Sequence, residues 1–136
     1  MSSYPIEKIE GIGPVYGAKL KEVGIDTTGE LLKAATTPAG RDSLAETTGL
    51  TTTQILEWAN RADLMRIKGV GEEYGDLLEF AGVDTVKELQ HRVPANLHKK
   101  LVEVNEAKSL VRRLPSESDV ADWIEQAKSL PPTLTY

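Results

Sequence analysis

Cysteine is absent from the 136 residues, phenylalanine occurs once and tryptophan twice. Without thiols the chain has no disulfide, no cysteine nucleophile and no thiolate-held zinc or iron-sulfur centre, which fits a reducing compartment. Long apolar runs are missing as well. No window approaches the ~20 residues of a bilayer-crossing helix, and the opening "MSSYPIEKIEG" has no basic stretch followed by an apolar one. These absences predict a cytoplasmic protein with no membrane contact. What is present is ordinary for a folded chain: 40% hydrophobic and 27% charged residues, enough apolar surface for one domain over residues 1–136.

The net charge of −5 excludes a chain that coats nucleic acid along its whole length. Its distribution is uneven. Residues 1–86 carry 8 basic and 14 acidic side chains, residues 87–113 carry 7 and 3, and residues 114–136 carry 1 and 4, for local balances of −6, +4 and −3. Attraction for phosphate would have to come from the middle segment or from the lysines near residue 20.

The chain repeats itself. Shifting it by 58 positions lays Ile9, Gly11, Gly13, Tyr16, Gly17, Leu20, Gly24, Asp26 and Thr27 over Ile67, Gly69, Gly71, Tyr74, Gly75, Leu78, Gly82, Asp84 and Thr85. Further on, "TQILEWANRA" matches "SDVADWIEQA" at an offset of 65, so the second copy has gained about seven residues within its basic segment. The repeats span 5–64 and 65–130. Repeats of this size suggest a pseudo-two-fold unit in which neither half buries its apolar face alone.

The local pattern is helical nearly throughout, and the class is all-α, with about ten short helices. Pro14 suits a first turn, where its missing amide hydrogen costs nothing. Val15, Leu20 and Val23 supply apolar positions until Gly24 ends that helix. Asp26 or Thr27 caps the next, as Asp84 or Thr85 does in the second copy. Thr37-Pro38 opens a helix toward Gly49, and Thr51 to Thr53 cap one in which Ile55, Trp58, Ala59, Ala62 and Met65 keep a 3,4 spacing. "NLHKKLVEVNEAKSLVRRL" reads as one helix stopped by Pro115, with Leu97, Leu101, Val104 and Val111 inward. Val120, Trp123, Ile124 and Ala127 mark the last helix.

"EGIGPVYGAKLKEVGI" and "KGVGEEYGDLLEFAGV" resemble helix-hairpin-helix motifs, whose pattern is apolar, any, Gly, apolar, Gly and then a helix. With "NRADLMRIKGVG", "NLHKKLVEVNEAKSLVRRLPS" and "DWIEQAKSLP" the whole chain resembles a bacterial domain-of-unknown-function family, number 4332, built from this motif. The resemblance implies a compact tandem helix-hairpin-helix fold, similar to sterile-alpha-motif domains. It also implies that backbone amides, those of Gly11, Gly13 and Tyr16 and of Gly69, Gly71 and Tyr74, would point at a nucleic-acid phosphate. A monovalent cation held by the carbonyls of Glu7, Ile9 and Ile12 is a further implication.

The two copies differ in charge. Lys8, Lys19 and Lys21 surround the first hairpin, whereas Glu72, Glu73, Asp76 and Glu79 follow the second, which is therefore expected to be purely structural. The first hairpin stays open between a tight corner and a phosphate site. Lys99, Lys100, Arg112 and Arg113 are candidates for a supporting basic surface. No nucleophile with a positioned base, metal-ligand spacing or phosphate loop is visible, so the expectation is a non-enzymatic protein with no cofactor and no small-molecule substrate. Its expected partner is duplex or branched DNA without sequence preference. The alternative is a protein-interaction or self-association module.

Overall fold

The computed structural model describes residues 3–136, Glu72 by its backbone alone. Among the described residues the chain is all-α. A 3-10 turn, Ile6–Lys8, precedes helices α1 (Gly13–Glu22), α2 (Thr28–Ala34), α3 (Pro38–Thr48), α4 (Thr52–Leu64), α5 (Glu72–Phe80), α6 (Val86–Leu89), α7 (Pro94–Lys108) and α8 (Glu117–Ser129). Eight helices stand where about ten were expected. None is long and apolar enough to cross a membrane.

Local chemistry explains most boundaries. Thr27 accepts from the Glu30 amide while Glu30 reaches back to the Thr27 amide, a reciprocal cap that Thr51 with Gln54 and Ser116 with Asp119 repeat. Thr85 caps α6 through the Glu88 amide, so threonine does the capping in both copies and neither Asp26 nor Asp84 does. Gly49 closes α3 at φ 77°, and Gly24 follows α1 at φ 85°.

Two expectations fail. The helix read through to Arg113 ends at Lys108, because Ser109 turns left-handed at φ 51°. The Asn105 side chain then accepts from the Val111 amide and donates to the Val111 carbonyl, folding the chain back along α7. His98 of α7 meets the Pro115 carbonyl at 3.0 Å further along the same return. Arg112 and Arg113 therefore lie in an irregular segment, and Val111 is buried without being helical. Val15, placed inward by its pattern, is 68% exposed on the first turn of α1.

The buried side chains form two clusters instead of one shared core. Ile6, Leu20, Leu31, Ile55, Trp58 and their neighbours make the first. Leu77, Leu78, Leu89, Leu101, Trp123 and theirs make the second. The exchange comes at the end of α4, where Leu64 packs into the second cluster and Met65 into the first.

Polar groups tie the halves together. Arg66, almost fully buried, pairs with Asp63 at 2.9 Å and donates to the Pro131 carbonyl at 2.8 Å. Asp63, equally buried, also accepts from the Val86 amide of the second half. From Pro131 the tail returns to the first half. There the Thr135 amide donates to the Thr36 carbonyl, the buried Arg41 of α3 donates to the Thr135 carbonyl, and Tyr136 donates to Asn60. Removing one member of a buried ion pair strands the other in a medium that solvates it poorly. Asp63→Ala is expected to lose about 3–5 kcal/mol of unfolding free energy in urea titrations. The exposed Lys128–Glu125 pair is the control: Lys128→Ala should cost under about 1 kcal/mol.

Candidate nucleic-acid interface

Each glycine hairpin is braced by a tyrosine and a tryptophan from its own half. Tyr16 of α1 lies 5.4 Å from Trp58 of α4 between ring centroids, and Tyr74 of α5 lies 5.3 Å from Trp123 of α8, both tilted at 49°. Such pairs contribute about 0.5–1.5 kcal/mol beyond their burial. The tryptophans are core residues, as the sequence suggests. Each indole Nε1 also abuts its hairpin: a methyl added to Gly69 would sit 3.1 Å from that of Trp123, and one added to Gly11 would sit 3.8 Å from that of Trp58. Both glycines have positive φ, 98° and 91°, so a side chain there is excluded twice over in the second copy.

Beyond this shared frame the hairpins diverge. Gly13 is left-handed at φ 60°, whereas Gly71, its counterpart, is extended and serves as the N-cap of α5. The second hairpin is also clamped by Gln126 of α8, which donates to the Lys68 carbonyl at 3.0 Å and accepts from the Lys68 amide at 2.7 Å. By the repeat offset Arg61 stands where Gln126 stands, and it does something else. Its guanidinium pairs with Asp76 and Glu79 of α5.

This rearranges the charges that the sequence assigns to each hairpin. Asp76 and Glu79 turn toward α4 and the first hairpin. There they join Glu10 and Glu57 around a groove of about 380 Å³ whose walls include Gly11, Tyr16 and Trp58. The lysines do not compensate. Lys21 is taken by Glu7 at 2.5 Å, Lys19 is exposed on α1, and Lys8 lines a different cavity, beside Gly69, Gly71 and Tyr74.

The second hairpin gains what the first loses. Besides Lys8 and its own Lys68, it has the basic return segment alongside, because the Tyr74 hydroxyl donates to the Arg113 carbonyl at 2.9 Å. Arg112 and Arg113 are exposed there, and Lys99 and Lys100 are exposed on α7, against which that segment folds. Glu73 is the opposing charge in the cavity. Sequence spacing could not bring Arg113 to Tyr74, 39 positions away.

The carbonyls named for a cation are partly engaged, since that of Ile9 accepts from the Ile12 amide at 3.2 Å. The side chain of Glu7 lies in its pair with Lys21, whose ammonium holds the carboxyl below the usual carboxylate range while the pair raises Lys21. A depressed carboxyl contributes stability above its ordinary range and loses it as pH falls through the folded value; the raised ammonium loses its contribution only as pH climbs past the usual lysine range. An NMR titration of the Glu7 side-chain carbon should show a midpoint below that of an unpaired glutamate, and Lys21→Met should raise it most of the way back, a backbone hydrogen bond to the carboxylate keeping the remainder.

No solved structure matches the chain. The model of the family described as Domain of unknown function (DUF4332) matches residues 10–130, nearly the whole length, and the protein belongs to that family.

Proposed function

We propose that this is a small non-enzymatic, cytoplasmic binding protein that contacts the phosphate backbone of duplex or branched DNA, without sequence preference. The contact is made through the second helix-hairpin-helix and the basic segment tied to it. The Tyr74–Arg113 hydrogen bond carries the reading, because it fixes two exposed arginines beside an exposed glycine turn. Gly69 and Gly71 present backbone there, and Lys8 and Lys68 extend the positive surface. Amides and guanidinium groups together can hold a phosphate while leaving the base edges unread.

Charge decides between the hairpins. A phosphate approaching Gly11 would meet Glu10 and Glu57, neither of them in an ion pair among the described residues, and like charges at such range repel strongly at low salt. At the second hairpin Asp76 and Glu79 are neutralised by Arg61 and face α4, which leaves Glu73 as a carboxylate lining the cavity against Lys8.

Fluorescence anisotropy with labelled duplex and four-way-junction DNA, across a salt series, tests the proposal. Native protein should bind with log affinity falling linearly against log salt. Arg112→Glu/Arg113→Glu should weaken binding and flatten the slope by about two. Lys19→Glu/Lys21→Glu should leave affinity within about twofold, as expected for residues that meet no phosphate. Absence of binding at the lowest salt overturns the proposal, and loss with the Lys19/Lys21 variant alone returns the site to the first hairpin.

A further inference from the structure

The acidic groove at the first hairpin has no part in binding a polyanion, yet its shape and chemistry are those of a docking site. Its apolar surface includes Tyr16, the edge of Trp58 and Phe80, the last 53% exposed at the end of α5. The groove adjoins a smaller cavity of about 60 Å³ that shares Glu57, Arg61 and Glu79 and adds Asp84. Glu10, Glu57 and Asp84 are in no ion pair among the described residues, whereas Arg61 is already satisfied by Asp76 and Glu79. An occupant would therefore meet unpaired carboxylates above an aromatic surface. Cationic side chains next to an aliphatic one answer that chemistry.

The chain carries such a segment. Arg112, Arg113 and Leu114 follow one another outside any helix, and Leu114 is 37% exposed. Both arginines are exposed and in no ion pair among the described residues, although Arg113 lies near enough to Asp119 to add to the Ser116 hydrogen bonds in lowering its carboxyl. The segment does not serve its own groove. It is held to α5 by Tyr74, whereas Asp76 and Glu79 face α4 from the same helix. At about 100° per residue these acids lie roughly 140–200° around α5 from Tyr74. Lys108, four residues before the segment, lies 4.6 Å from the centre of the Phe80 ring at the groove's rim, but the segment itself is tied to the side of α5 away from the groove acids, so those acids are free for the segment of another molecule.

We propose that the acidic groove binds the Arg112–Leu114 segment of a second copy of the chain. The contact joins two different surfaces, so it runs head to tail and leaves a free groove on one copy and a free segment on the other. It is independent of the DNA-binding reading, although DNA and a second copy would compete for the same arginines.

Light scattering during size exclusion, with no nucleic acid present, reads the contact directly. For the native chain, weight-average mass should rise with concentration toward at least twice the monomer value at low salt and return to monomer at high salt. Glu10→Lys/Glu57→Lys and Arg112→Glu/Arg113→Glu should each stay monomeric with unchanged helical circular dichroism. Their equimolar mixture should associate again, because the first variant keeps the segment and the second keeps the groove. A native chain that is monomeric at every concentration overturns the proposal. So does association that survives in either variant alone, or variants that fail to associate on mixing. The groove variant should bind duplex DNA at least as tightly as the native chain, because its two reversals remove repulsion at the first hairpin, so failure of this contact and failure of DNA binding are separate results.

Discussion

Arg66 and Asp63 hold the molecule in one arrangement. Two oppositely charged groups have been taken out of water at the end of α4, and their attraction offsets that cost only with further hydrogen bonds to both groups, even though the buried Nε of Arg66 has no partner among the described residues. Asp63 reaches the Val86 amide and Arg66 reaches the Pro131 carbonyl, so the pair is complete only when α6 and the tail are both in place. Each half has its own apolar cluster. Apolar contact is nondirectional and tolerates many relative placements, whereas this pair tolerates few. The positions of the two hairpins, and thus of every candidate binding group, depend on it.

Arg61, two residues before Asp63 on α4, adds a second directional constraint. By pulling Asp76 and Glu79 toward α4 it clears carboxylates from the second hairpin and places them in the groove of the first. In the second half the matching position is Gln126, which clamps the backbone of its own hairpin. One repeat position thus does two jobs. In the first half it shapes charge at the seam between halves, and in the second it stiffens a turn. The two copies share a backbone frame and differ in the charges gathered around it.

The tail acts in the same direction. Leu134 packs on the first cluster, and Arg41 grips the Thr135 carbonyl while its guanidinium lies 5.7 Å from the centre of the Tyr136 ring. Tyr136 is exposed as a residue, yet the partial loss of water around its hydroxyl and the nearby Asp63 and Asp84 carboxylates raise that group above the ordinary tyrosine value. A segment with no regular structure therefore contributes to fastening the halves together.

Residue pattern by itself determined the all-α class, the 58-residue repeat, the glycine turns, the places of the helix caps, though not whether aspartate or threonine makes those at 26–27 and 84–85, and the stripes of Ile55 to Met65 and Val120 to Ala127. These features act over a few residues, so the physics that sets them is written within a few residues. It misread the end of α7, because a side chain six positions back, Asn105, captures Val111 and outcompetes continued helix. Above all it could not assign charges to sites. Glu79 lies ten residues after Gly69 in sequence and faces the first hairpin in space, while Arg113 lies 39 residues after Tyr74 and is bonded to it. Only the tertiary structure decided which hairpin is acidic and which is basic, since Coulomb energy depends on distances that packing sets between elements remote in the chain.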